Sequence, residues 1–299
     1  MSAILGLGTY KVHAAAEAAC TACEAGAAWV DTAPNYGDGE THQLLAPVLT
    51  EHPQVKVATK TGFLTPTHKL AAVAAGVLEE NQARTGHSLA PAFVRWQTEQ
   101  SLHELGRADV VFVHNPERSA RHRLQVHAHL RKVFEVLEEF ACAGRIGGYG
   151  VATWTGFESD IFTVPGLVGL ARQAAGGQAH HMVAVQQPVS LVMDRPIRQS
   201  LGGRGPLVQA RAAGLTTFAS SPLYGGELID LVTPELVDFI RPGLSPAAAC
   251  LLVAASTPSL DVVLLSASGS GHWAEAAAAL ALPLDARQLT EVTDVCAAG

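Results

Sequence analysis

Short apolar runs alternate with longer stretches of helical spacing from one end of the chain to the other. The runs lie at Ile4–Gly8, Ala28–Asp31, Val55–Lys60, Val110–His114, Gly148–Ala152, Met182–Gln186, Thr216–Ser220 and Val262–Ser266. Each is short, rich in apolar residues and bounded by turn-forming residues, as buried parallel strands are. Between them, helical spacing predicts helices over Ala14–Glu24, Thr41–Leu49, Ala92–Leu105, Leu130–Ala143, Val164–Ala174, Pro206–Ala213 and Pro246–Ala255, with a last one at Asp285–Val295. Eight strand–helix units in 299 residues predict an α/β protein built as a single (β/α)8 TIM-type barrel. No linker-like composition shift divides the chain, so one domain spanning 1–299 is expected. The competing architecture is a doubly wound open sheet. Gly6 and Gly8 in GLGTY hint at its phosphate loop, but the third glycine of that fingerprint is absent.

A barrel also accounts for a second pattern. Polar residues recur at or just beyond the carboxyl ends of the strands: Asp31, Lys60, His114, Thr153, Gln186, Ser220 and Ser266. In a closed barrel these ends converge on one mouth, where side chains distant in sequence meet. A shared site there is the expectation, although each residue alone has a structural reading as a cap, an anchor or a core group.

Composition narrows the function classes. Hydrophobic residues make up 48% of the chain and charged residues 16%, enough apolar material for a large core. The net charge of −7 gives no reason to approach nucleic acid or anionic lipid. The first ten residues, MSAILGLGTY, have neither the basic region nor the apolar length of a secretory signal, and no run is long enough to span a membrane. A cytoplasmic protein is expected. Five cysteines do not suggest a disulfide framework. The C-x-x-C of Cys20 and Cys23 sits on one face of a helix with no second ligand pair nearby, so ordinary packing is expected and no metal site. His122, His127 and His129 are expected to be solvated at a helix start.

The segments GLGTY, VDTAPNYG, ATK and FVHNP, in that order and each at a strand end, resemble the signatures of the aldo-keto reductases. The resemblance runs through the barrel to its last unit. It implies a catalytic tetrad of Asp31, Tyr36, Lys60 and His114. Those residue types suit carbonyl reduction. Oxygen gains negative charge as hydride arrives and needs a proton, which Tyr36 can donate. A phenol with an ordinary pKa of about 10 is a reluctant acid, and a neighbouring Lys60 cation would ease proton release. Asp31 would hold Lys60, and His114 would orient the carbonyl and stabilise the oxyanion. Hydride must come from a cofactor, since no side chain donates it.

The resemblance further implies a cofactor cradle of Gly8, Thr9, Thr153, Gln186, Ser220, Ser221 and Leu223, completed by Ser266, Ser268, His272 and Glu275. NADP(H) is the expected cofactor rather than NAD(H). The chain departs from the family here. Ala152 and Thr153 stand where a Ser-Asn pair is usual, Ser220 where an aromatic often stacks, and no arginine clamps the 2′-phosphate. Small residues in SASGSG and a helix N-terminus can still hold phosphate through backbone N–H groups. Tyr10, Phe63, Asn115 and Trp154 are expected to line the pocket for a small-molecule carbonyl substrate. Arg195, Arg198 and Arg204 in the 191–205 segment could recognise an acidic group or be solvated. Assembly into a homo-oligomer stays open. Two other functions also stay open: a redox-neutral lyase or isomerase on the same scaffold, and a non-catalytic regulatory subunit.

Overall fold

The computed structural model describes residues 3–298. Eight parallel strands close into a barrel in sequence order: β1 (Ile4–Gly8), β2 (Trp29–Asp31), β3 (Lys56–Thr61), β4 (Val110–His114), β5 (Tyr149–Ala152), β6 (Met182–Pro188), β7 (Thr216–Ser220) and β8 (Val262–Leu265). The last strand returns to the first with Ile4 opposite Val262, so no edge is left unpaired. The helices are α1 (Ala15–Glu24), α2 (Thr41–Glu51), α3 (Pro66–Ala74), α4 (Glu80–Ala83), α5 (Pro91–Leu105), α6 (Arg123–Cys142) and α7 (Val164–Ala175). They continue with α8 (Arg195–Leu201), α9 (Pro206–Ala212), α10 (Leu228–Leu231), α11 (Pro234–Ile240), α12 (Pro246–Ala255), α13 (Ser270–Leu280) and α14 (Ala286–Ala298). No helix among the described residues is long and apolar enough to cross a membrane.

Local chemistry sets many of these boundaries. Thr65, Thr163, Thr233 and Ser245 each accept a hydrogen bond from the backbone N–H three residues on, with a proline one residue later, or two in the case of Thr163. The hydroxyl satisfies an orphan donor of the first turn while proline supplies a pre-set helical φ. Helix α6 starts seven residues before the expected Leu130. Its histidines obscure the spacing, but Val126, Leu130, Val133, Phe134 and Leu137 form one buried face. His127 and His129 bond to the Ile161 carbonyl and the Ser119 hydroxyl rather than only to solvent. In α1, Cys23 packs into the main core while the half-buried Cys20 meets Glu24, consistent with a packing role.

Side chains alternate along each strand between the barrel interior and the surrounding helices. The inward set includes Trp29, Ala58, Val110, Phe112, Ala152, Ala184, Phe218, Val262 and Leu264, which pack as one cluster. Phe218 is its centre, edge-on to Trp29 at 4.9 Å and to Phe112 at 5.5 Å between ring centroids. Gly150 makes room for this plug: a Cβ there would lie 2.3 Å from the Ala184 carbonyl and 2.8 Å from the Phe112 ring. The outward set packs on the helices in two larger cores. The plug fills the barrel below its carboxyl-end mouth, so chemistry is confined to the layer above it.

Candidate active site

Asp31, Lys60 and Gln186 come from the carboxyl ends of β2, β3 and β6 and meet inside the barrel. Lys60 Nζ donates to Asp31 Oδ1 at 2.5 Å and to the Thr32 carbonyl at 3.0 Å. Gln186 Nε2 donates to Asp31 Oδ2 at 2.9 Å. Both carboxylate oxygens are therefore occupied, and all three side chains are buried. Burying such charges is tolerable only when they are paired and hydrogen-bonded, as they are here. Tyr36 enters from the turn after β2 and places its ring with the centroid 4.9 Å from Lys60 Nζ. That turn needs Gly37, whose φ is +53° and whose Cβ, if present, would lie 2.5 Å from Thr41 Oγ1. His114 closes the group edge-on to Tyr36, with centroids 6.2 Å apart.

The electrostatics sort these groups into distinct protonation states. Burial raises the Tyr36 pKa; Lys60 pulls it back down through its charge, and Asp31 adds to the rise. The net direction is up, so the cation eases a phenol that burial keeps protonated. Burial opposes the Lys60 charge, but Asp31 and Tyr36 outweigh it and its pKa rises. His114 falls well below the ordinary histidine value, first through burial and then through Lys60, His87 and Arg118. Near neutral pH this is a neutral imidazole beside a charged lysine and a protonated phenol. His114 Nδ1 is buried with no hydrogen-bond partner. His87 donates from Nε2 to the His114 carbonyl at 2.8 Å, and burial drives its own pKa down to about 4.

The expected substrate residues divide between two places. Tyr10 is half exposed and its ring lies 5.2 Å from that of Tyr36. Phe63 stacks edge-on against His114 at 4.7 Å and carries the Arg118 guanidinium at 5.5 Å on its ring. Asn115 follows His114 in left-handed geometry, at φ +47°, and turns the chain away from β4. Trp154 stands apart. It approaches Tyr224 at 6.4 Å and lines a cavity of about 190 Å³ with the outward Thr153 and Gln187, Phe157 and Met193. Arg195 begins α8 and Arg198 lies within it. Arg195 donates to the Glu158 carbonyl, and Arg198 pairs with Asp194 and Asp294, so both serve local structure.

On the cofactor side, several expected side chains are already engaged within the protein. Thr9 Oγ1 donates to the Asp31 carbonyl at 3.0 Å, and Ser266 Oγ to the Gly8 carbonyl at 2.7 Å. Thr153 falls on the outward parity beyond Ala152, and its Oγ1 accepts from Gly156 N at 2.8 Å. Through that oxygen it caps a turn. Glu275 likewise accepts from Ser245 N at 3.0 Å and ties α13 to the start of α12. Leu223 packs against the main core, whereas Ser220 and Ser221 remain half-exposed after β7, with Ser221 at φ +51°. Ser268 and His272 are exposed around the start of α13, whose N-terminus no side chain caps.

Comparison with known proteins decides the family. The sequence profile described as the aldo/keto reductase family matches residues 4–161, more than half of the chain. The chain belongs to the aldo/keto reductase family. No curated protein matches it. Among solved structures, an aldo-keto reductase from Klebsiella pneumoniae in complex with NADPH is 20% identical, with 98% of this chain and 90% of that one covered and a TM-score of 0.65. A thermostable aldo-keto reductase bound to the inhibitor epalrestat is 19% identical over 97% and 94% of the two chains, with a TM-score of 0.67. An aldo/keto reductase from Brucella melitensis is 17% identical over 97% and 94%, with a TM-score of 0.63. At these identities the likeness is one of fold.

Three residues at the mouth of this aldo/keto reductase, His87, Arg118 and Lys11, were not singled out in the sequence, and neither was the contact that Gln186 makes. The bond from Gln186 to Asp31 spans 155 residues, and only strand parity could have indicated it. His87 and Arg118 reach His114 from loops whose course no periodicity reports. Lys11 could have been found beside Tyr10 in GLGTYK; its Nζ lies 5.6 Å from the Tyr10 ring centroid, and a Cβ at Gly225 would sit 3.9 Å from it.

Proposed function

We propose that this aldo/keto reductase reduces the carbonyl of a small molecule with NADPH, Tyr36 serving as general acid and the barrel acting as a single domain. The observation that carries the reading is the buried run Gln186–Asp31–Lys60 beside Tyr36, facing a neutral His114. A regulatory subunit gives no reason to maintain a buried lysine–carboxylate pair against a phenol.

The residues present suit a dinucleotide at the mouth. Gly8 leaves a cradle in which a Cβ would meet Ser266 Oγ at 3.3 Å. Ser220 and Ser221 offer polar groups on the loop after β7, and the uncapped start of α13 at Ser270 offers backbone N–H groups to a phosphate. Exposed Ser268 and His272 flank that phosphate position. When bound, the reduced nicotinamide supplies hydride. The Klebsiella neighbour's complex with NADPH favours the phosphorylated cofactor, while the lack of an arginine there favours modest discrimination against NADH.

The chain's own groups manage the proton. His114 as a neutral imidazole donates a hydrogen bond to the carbonyl oxygen and fixes it near the Tyr36 hydroxyl, at no cost in added positive charge. Tyr36 then passes its proton to that oxygen as negative charge grows there. The positive field of Lys60 stabilises the phenolate left behind, and Asp31 keeps Lys60 charged and in place. Gln186, bonded to the second Asp31 oxygen, prevents the carboxylate from turning toward Tyr36. Tyr10 and Phe63 give the substrate apolar walls.

The test is NADPH consumption by the purified protein against a panel of aldehydes and ketones, followed at the nicotinamide absorbance. Carbonyl-dependent oxidation with release of the corresponding alcohol is expected. Binding of NADPH without turnover of any carbonyl would count against the reaction while leaving the cofactor assignment standing.

A further inference from the structure

A second cluster of chemically active side chains lies at the opposite end of the barrel. Helix α6 presents Glu138 and Cys142 one turn apart, and the segment entering β6 brings His181 against them. Tyr149, which begins β5, donates from its hydroxyl to Glu138 Oε1 at 2.7 Å, and His181 N donates to the same oxygen at 2.8 Å. These two donors fix the carboxylate and leave Oε2 facing the imidazole, 2.7 Å from His181 Nδ1. Cys142 Sγ lies 4.0 Å from that nitrogen. One oxygen, one nitrogen and one sulfur thus lie within 4.8 Å of one another. Ligands around a tetrahedral zinc ion lie roughly 3.3–3.7 Å apart. To reach that spacing the hydrogen bond from His181 Nδ1 to Glu138 Oε2 must open and the exposed Cys142 thiol must move inward. Glu138 is buried, whereas Cys142 is exposed, so an ion has an approach from solvent.

We propose that Glu138, Cys142 and His181 form a binding site for a borderline-soft divalent cation such as zinc, with solvent in the fourth position. The carboxylate and thiolate neutralise the ion, and a nitrogen–sulfur–oxygen set favours zinc over magnesium or calcium. On binding, the thiol proton leaves to solvent, and the hydrogen that His181 Nδ1 donates to Glu138 Oε2 is lost to solvent or moves to Nε2, freeing Nδ1 for the metal. The Tyr149 hydroxyl and the His181 N–H are the outer groups that orient the carboxylate. The ion would tie the end of α6 to the start of β6, away from the mouth, so its role is structural and does not depend on the carbonyl chemistry.

The test is titration of the metal-free, reduced full chain with cobalt(II) and zinc(II). The expected result is one equivalent of cobalt giving a thiolate-to-metal charge-transfer band with tetrahedral visible bands, displaced by zinc. Zinc should also raise the melting temperature. Cys142→Ser should abolish the band and the thermal shift, and Cys20→Ser should retain both. Because Cys142 is exposed, that variant should fold. Absence of a charge-transfer band in the wild type overturns the proposal, as does a band that survives Cys142→Ser or is lost with Cys20→Ser, which would place the metal at the C-x-x-C.

Discussion

The two halves of the barrel use their strand ends differently. In β1–β4, the side chains of Asp31, Lys60 and His114, joined by Tyr36 from the adjoining turn, point into one volume and act on one another. In β5–β8 and the segments that follow them, several candidate side chains are engaged by the scaffold: Thr153 on a turn, Ser266 on the Gly8 carbonyl, Glu275 of α13 on the start of α12. Gln186 crosses between the halves, leaving its own strand's neighbours to bond Asp31. Under the proposed function, proton chemistry would rest on side chains, whereas the cofactor would rest largely on backbone. A backbone cradle tolerates sequence change, so departures from family pattern there do not by themselves abolish a site.

The comparison can be broken most severely at Tyr36. Tyr36→Phe should lower kcat/KM for carbonyl reduction by about 10²–10⁴-fold while NADPH affinity is nearly unchanged. Full turnover in that variant would remove the acid from the account. Next is Lys60→Met, which strands Asp31 as a buried charge. Loss of about 3–5 kcal/mol of stability is expected in a urea melt. Reduction should also slow, with the basic limb of the pH–rate profile moved to higher pH because Lys60 no longer draws the phenol down. An unchanged profile would uncouple the two residues.

A smaller effect concerns pH. Burial holds His87 at about 4 and His114 well below its ordinary value in the folded protein. Between about pH 6.5 and 4 the unfolded chain binds more protons than the folded one, so stability falls as pH falls through this window. His87 alone accounts for roughly 3 kcal/mol when the shift is complete. Urea midpoints measured from pH 7 to 4.5 should decline accordingly, with a shallower slope in His87→Gln; parallel slopes would contradict the assignment. The mildest test sharpens the other half. Thr153→Val leaves Gly156 N without its acceptor at a cost of about 1–3 kcal/mol in stability, yet NADPH affinity should change by less than about threefold. A large loss of affinity would return Thr153 to the cofactor.

Much of this was legible in the chain itself. Strands β1, β4 and β7 lie on the residues the apolar runs indicated, because buried strands are contiguous in sequence. The positions of Asp31, Lys60 and His114 followed from strand ends converging on one mouth. The turn-capping bond of Thr153 was not legible because a single residue of strand parity separates inward from outward, and Ala152 occupies the inward position. The 191–205 segment hid α8 because Asp194 and Pro196 read as loop residues, although aspartate before the first turn and proline within it also start helices. The Glu138–Cys142–His181 cluster was invisible because its third member lies 39 residues beyond Cys142 and meets it only where α6 packs on β5 and β5 pairs with β6.

The central claim is that a chain with an altered cofactor half still holds a nicotinamide cofactor over an intact proton relay. Titration of the purified protein with NADPH and NADH, followed by nicotinamide fluorescence, tests it most directly. The account predicts saturable binding of NADPH, tighter than NADH by a modest factor. Absence of binding by either at millimolar concentration would contradict it and move the tetrad to redox-neutral chemistry.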